Sequence, residues 1–241
     1  MGNTLSNSKI AIITAITGSK DQLLTAPRFD NVETILFTDK DPGDIDTKGW
    51  QIYRLPLFSN LSRSDRRNAK LPKILPFIFL NGYDFVVWQD GGHRCAVDPH
   101  QLIEKYLISQ DKDIAAFMHG RAFAGMPHTC IYNEAENIKR IKFLEDPKII
   151  DEQVAAYQTD GFPGGYGLSC NAAMLWRQTE KVWRLQLTWW EQICRYSSRD
   201  QMSFFYSLWK TNMKDRFTYI DGHWERNNEI PRIQGHIKAE H

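Results

Sequence analysis

Apolar residues in the first third of the chain come in short β-branched runs, not in helical stripes. Ile10, Ile12, Ile13 and Ile16 fall within Lys9 to Ile16, which predicts a first strand ending at Thr17-Gly18. Glu33 to Phe37 predicts a second strand, running into Thr38-Asp39, and Gln51 to Tyr53 a short third. Arg66 to Leu80 reads as a helix interrupted at Pro72 and Pro76. Phe85 to Trp88 is too short and β-rich for a helix and reads as a buried strand. Asp98-Pro99-His100-Gln101 opens the next helix, with Asp98 as N-cap and Pro99 at the first helical position. Ile114 to Met118 reads as a strand ending at His119. Helices are expected over Glu134 to Leu144 and Asp151 to Tyr157.

In the second half, Phe162 to Gly167 is a loop and Ala172 to Trp176 returns as strand. Val182, Leu185, Trp189, Ile193 and Tyr196 recur at helical spacing over Lys181 to Arg195. Ser198-Arg199-Asp200-Gln201 has the form of a capping box, with Ser198 as N-cap, before a helix carried by Met202, Phe205 and Trp209. Strands alternating with helices predict an α/β domain with a mostly parallel central sheet flanked by helices. We place it at residues 9–230, between a disordered tail at 1–8 and a second tail at 231–241. No GxGxxG follows the first strand and no GxxxxGK[ST] occurs, which removes support for a dinucleotide Rossmann domain and a P-loop NTPase.

Composition adds little. A chain of 241 residues with 42% hydrophobic and 24% charged residues has enough apolar material for a full core. A net charge of +1 argues against nucleic acid as the main partner. Eight Trp tilt the reading towards flat aromatic faces of the kind sugars stack on. Cys95, Cys130, Cys170 and Cys194 form no CxxC pair, so reduced thiols in a cytoplasmic setting are expected. No stretch approaches the roughly 20 apolar residues of a transmembrane segment. Met1-Gly2-Asn3-Thr4-Leu5-Ser6 fits the short N-myristoylation pattern.

The candidate chemistry lies where strands end. Asp90 would emerge at the carboxyl end of the Trp88 strand, where open α/β sheets bind ligands, and Gly91-Gly92 would let a ligand approach the backbone. A carboxylate there suits Mn²⁺ or Mg²⁺, and the ion suits a diphosphate. Asp90 has no second Asp beside it, so a metal-independent site stays open as the second option. Arg66, Arg67, Lys70 and Lys73 gather cations on about two helical turns. Asp200, in a helix's first turn, is the leading catalytic carboxylate and Glu191 its competitor. Trp189 and Trp190 point in different directions, so at most one lines a cleft.

These segments share an order with a known family. The residues are Ala11 to Gly18, Phe37-Thr38-Asp39, Gly49-Trp50, Arg66-Arg67-Asn68-Ala69-Lys70 and Lys73-Ile74-Leu75-Pro76. Trp88-Gln89-Asp90-Gly91, Phe117-Met118-His119 and Cys130 to Ala135 follow, then Trp189-Trp190-Glu191 and Arg199 to Phe204. Over residues 9 to 210 the chain resembles a plant glycosyltransferase family first catalogued as a domain of unknown function, with mucilage- and pectin-related members. The resemblance implies a GT-A-like fold and transfer of a hexose or uronic acid from a nucleotide-sugar donor, a UDP-sugar first, to a glycan or other hydroxyl acceptor. It implies a nucleotide-sugar site of Thr14, Thr17, Asp39, Arg67, Lys73, His119, Trp190 and Arg199, with Asp90 and His223 toward the metal. The chain departs from the family at Phe77, where a histidine is usual, and at Gly92, where a polar residue is usual. Phe77 and the lone Asp90 motivate the alternative, a non-catalytic carbohydrate- or nucleotide-binding module. A phosphohydrolase using Asp90 would need a carboxylate cluster that the sequence lacks.

Overall fold

The structure, a computed structural model, describes residues 5, 7–18, 22–56, 64–120, 122–123, 126–127, 129–141 and 145–234. Apart from Leu5, the Met1 to Ser6 pattern lies outside them, as do residues 142–144 and the end of the chain from 235. The order is β1 (Ile10–Ile16), β2 (Val32–Thr38), β3 (Gln51–Arg54), α1 (Ser64–Ile74), α2 (Pro76–Phe79) and β4 (Phe85–Gln89). Then come α3 (Pro99–Ile103, continued by a π turn over Glu104–Ile108), β5 (Ile114–Met118) and the short β6 (Ala122–Phe123) and β7 (Met126–Pro127). The chain continues through α4 (Ile131–Arg140), α5 (Pro147–Thr159), β8 (Ser169–Arg177), α6 (Glu180–Arg195), α7 (Gln201–Lys210) and β9 (Phe217–Ile220).

Seven strands form one sheet in the order β3-β2-β1-β4-β8-β5-β9. All neighbours are parallel except β8, which runs antiparallel between β4 and β5. The expected mostly parallel α/β sheet is therefore present. Period-two alternation sorts β1 onto two cores: Ala11, Ile13 and Ala15 face one, while Ile10, Ile12 and Ile16 face the other. The first core is covered by α1, α6 and α7 and the second by α3 with its π turn. Burial on both faces explains why β1 reads as a continuous apolar run.

Two local expectations change. Pro72 stays inside α1 and the break falls at Leu75, because Pro76 starts α2. Ser198 does not cap α7. Its N–H and Oγ–H both donate to Glu145 Oε2, at 2.9 and 3.0 Å, and Asp200 stands at the cap position. A buried carboxylate from a distant segment outcompetes the local capping box. Asp98, by contrast, caps α3 as expected, accepting from His100 N–H.

The reversed strand prepares the site. Between Ala116 and Phe117 the register on β8 jumps from Met174 to Cys170. On its other side β8 keeps register with β4, and the ladder runs one rung past Gln89: Asp90 N–H donates to Ala172 O at 2.7 Å. No helix among the described residues is long and apolar enough to cross a membrane.

Candidate functional site

Asp90 follows the last residue of β4 and opens a turn closed by His93 N–H donating to Asp90 O at 2.8 Å. Buried Gln89 braces that turn, donating to His93 O and accepting from Cys95 N–H. Trp88 Nε1–H donates to Asp90 Oδ1 at 2.8 Å. On α1, Lys70 and Lys73 stand three residues apart and so share a face. Lys73 Nζ lies 3.2 Å from Asp90 Oδ1 and 2.7 Å from Asp200 Oδ2. Lys70 Nζ lies 3.0 Å from Asp200 Oδ1. The Lys73 side chain is 1% exposed and its ammonium sits 5.3 Å from the Trp88 ring centroid. Asp90 and Asp200, far apart in sequence, are thus joined through one buried lysine.

The cluster's protonation follows from competition between burial and pairing. Burial opposes ionisation of Asp200, but the ammonium groups of Lys70 and Lys73 outweigh it and hold its pKa far below the usual range. Asp90 shows the same contest, and Lys73 and Lys70 again win, lowering it. Burial likewise opposes charge on Lys73, but Asp200 and Asp90 prevail and raise its pKa. Lys70 moves the other way: burial dominates and lowers it. A carboxylate with a depressed folded-state pKa contributes stability above its unfolded pKa and loses it as pH falls through the folded value. The protein is therefore expected to lose melting temperature as pH drops below about 4, the ordinary carboxylate range. Asp200→Asn should flatten that acid limb in a calorimetric pH series.

A second polar line approaches from the end of β5. His119 Nε2 is 3.9 Å from Glu134 Oε2, and Glu134 Oε1 is 3.3 Å from Arg199, the neighbour of Asp200. Arg199 also donates to Gln201 Oε1 at 2.7 Å. At the ends of β1 and β2, Asp39 Oδ2 accepts from Gly18 N–H, while its buried Oδ1 has no partner among the described residues. Thr17 Oγ1 donates to Asp65 O, and Thr14 Oγ1 is buried within β1 without a partner among the described residues.

Several expected residues stand elsewhere. Glu191, a catalytic candidate, is half exposed and pairs with Arg195 on the outer face of α6. It lies two residues beyond Trp189, which is buried, so helical phase turns it away. Arg67 donates to Ile193 O and Tyr196 O, closing the carboxyl end of α6 instead of facing a phosphate. Trp190 is half-buried against the core, whereas its neighbour Trp189 donates from Nε1 to Asp200 O at 3.0 Å. Trp189, Glu145 and Trp88 are the positioning residues that sequence reasoning left out. Trp189 carried a signal in the buried stripe of α6 and Trp88 in the strand leading to Asp90, whereas Glu145 carried none.

His223 lies in the loop after β9, 3.7 Å from the position a Cβ on Gly120 would take. Its Nδ1 accepts from Glu225 N–H, so the neutral ring carries its proton on Nε2. Among the described residues no group of three His, Cys, Asp or Glu side chains is placed to hold a metal ion. A surface depression lined by Asn7, Ser8, Lys9, Asn31, Val32 and Glu33 lies at the opposite, amino-terminal ends of β1 and β2.

Sheet order and site position define a GT-A-like domain: a reversed strand inside a mostly parallel sheet, with the charged cluster at the carboxyl ends of β1 and β4. The chain belongs to the family described as TOD1/MUCI70, glycosyltransferase-like domain, which matches residues 3–227. It is 27% identical over 225 residues to the probable hexosyltransferase MUCI70 of Arabidopsis thaliana, covering 88% of this chain. The chain spans only 37% of that relative's length. Among solved structures it is similar to the apo form of the bifunctional glycosyltransferase WbbM, with a TM-score of 0.51 at 10% identity. That match covers 90% of this chain and 40% of the other, and it speaks for the fold alone.

Proposed function

We propose that the domain is a glycosyltransferase that moves a hexose from a nucleoside diphosphate donor, a UDP-sugar first, to a hydroxyl of a glycan acceptor. The observation that carries this reading is the buried Lys73 bridge between Asp90 and Asp200. It builds a charged, preorganised floor at the sheet edge where α/β folds take ligands. Family membership and the hexosyltransferase relative support the same reaction class.

Each group has a distinct task. Asp39 Oδ1 is a buried acceptor with no donor among the described residues, which suits a ribose hydroxyl or base N–H. Asp200, held ionised by two lysines, is a poor base near neutrality, because its pKa lies far from the operating pH. Its task is to accept hydrogen bonds from donor-sugar hydroxyls and fix the ring. Trp189 holds Asp200 from behind.

The two lysines and two aspartates balance in charge, so the diphosphate needs a further cation. Asp90 Oδ2 has no partner among the described residues, and the side chain is 36% exposed. Asp90 Oδ2 would hold Mn²⁺ or Mg²⁺, and His223 Nε2 would join it once Nδ1 gives up the Glu225 N–H and takes the ring proton. Two protein donors suffice when diphosphate oxygens and water complete the shell. Such an ion, when bound, offsets charge on the leaving diphosphate.

The test is release of UDP from a panel of UDP-sugars with a glycan acceptor and Mn²⁺. Turnover should fall at least about tenfold on chelation and return with Mn²⁺, since the ion's share of charge stabilisation is several kcal/mol. Binding of UDP without turnover of any donor would instead indicate a non-catalytic binding module.

A further inference from the structure

The segment after β9 folds back over the turn that carries Asp90. The N–H groups of Ile233 and Gln234 both donate to Gly92 O, at 2.8 and 3.2 Å. Arg94 N–H donates to Pro231 O at 3.1 Å and Ala96 N–H to Glu229 O at 2.8 Å. His93 and Arg232 pair between them as an antiparallel bridge. Residues 229–234 thus form a strap beside residues 92–96. Its root is anchored, because Glu229 accepts from Tyr106 Oη–H at 2.6 Å and from Lys105 Nζ at 2.9 Å. Its far end reaches Gln22 O through the Gln234 side chain.

The strap leaves no room for a side chain at residue 92. A Cβ there would stand 2.4 Å from Gln234 O. That obstacle is main chain, so no rotamer change relieves it. Gly92 is required by space and not by its backbone angle, which is not in the left-handed region. The same piece of chain begins near His223: Asp221 N–H donates to Tyr106 Oη, and Asn227 Nδ2–H donates to Asp221 O. One continuous segment therefore ties the Asp90 turn to the His223 loop.

We infer that Gly92 is a positioning residue: its missing side chain lets the strap seat on the Asp90 turn, and the seated strap fixes Asp90 relative to Lys73 and the His223 loop. This rests on reading the cluster as the donor site. The strap meets residues 92–96 through main-chain bonds, so two variants probe that contact from opposite sides. Gly92→Ala pushes the strap away. Ile233→Pro removes one N–H donor while changing little else, because the Ile233 side chain is 55% exposed.

The experiment measures hydrogen exchange across residues 92–96 and 229–234, with kcat and KM for UDP-sugar turnover in Mn²⁺. Either variant should speed exchange in both segments and lower kcat roughly 10- to 100-fold, as small misplacements of a reacting group do. The double variant should be no worse than the weaker single, and Ile233→Ala, which keeps the N–H, should match wild type. Faster exchange with wild-type kcat would overturn the positioning role. Unchanged exchange in Gly92→Ala would overturn the seating itself. A wild-type protein that turns over no UDP-sugar would defeat the donor-site reading, while the exchange result would still decide whether Gly92 seats the strap.

Discussion

Lys73→Ala is expected to lower the melting temperature by roughly 10 °C and to abolish sugar transfer. The ammonium is buried between Asp90 and Asp200, so its removal leaves two carboxylates facing each other with only Lys70 on one of them. Removing one partner of a buried charge pair costs about 3–5 kcal/mol. For a chain of this size each kcal/mol is worth about 2–4 °C. Lys73→Met keeps most of the packing against Trp88 but not the charge, and should recover only a small part of the loss. Differential scanning calorimetry separates the two variants. A Lys73→Ala protein that melts within a degree or two of wild type would mean that the pairing contributes no net stability.

Asp200→Asn is expected to reduce kcat by about 100-fold or more, because a ring held by a misoriented partner loses its reactive geometry. The amide keeps the shape and the backbone contact to Trp189, so the fold should survive. The amide cannot accept from Lys70 and Lys73 through both terminal atoms as the carboxylate does, and one lysine is left without a full counter-charge. The kinetic loss should therefore exceed what the accompanying fall in melting temperature explains. Steady-state kinetics below the melting transition make that comparison. Equal kcat for variant and wild type would remove Asp200 from the reaction.

Much of this arrangement was legible in the chain, for physical reasons that differ by element. The strands were readable because burial on both faces enforces runs of small and β-branched residues, as in Ile10 to Ile16. Asp90 was readable because a strand so short must end beside it. Lys73 was placed among phosphate-binding cations, but its burial could not be seen, since that depends on Asp200 arriving from the other end of the chain. Glu191 and Asp200 looked alike as acidic residues near tryptophans. The phase of α6 separates them, and the stripe of Leu185, Trp189 and Ile193 already contained it. Ser198 shows the opposite case. Its local pattern was a good capping box, and only the distant Glu145 diverts it. The strap left no trace, because residues 229–234 meet residues 92–96 through main-chain groups, which carry no side-chain signature. Gly92 was visible as a departure from the family, and the nearness of Gln234 O supplies its reason.

The measurement that bears most directly on the whole account is a calorimetric titration of UDP and UDP-hexoses, in Mn²⁺, into wild-type protein and Asp90→Ala. Saturable binding to wild type, lost or weakened at least about tenfold in the variant, is the predicted result, since Asp90 supplies the exposed carboxylate oxygen of the site. Equal affinity for the two proteins would contradict it.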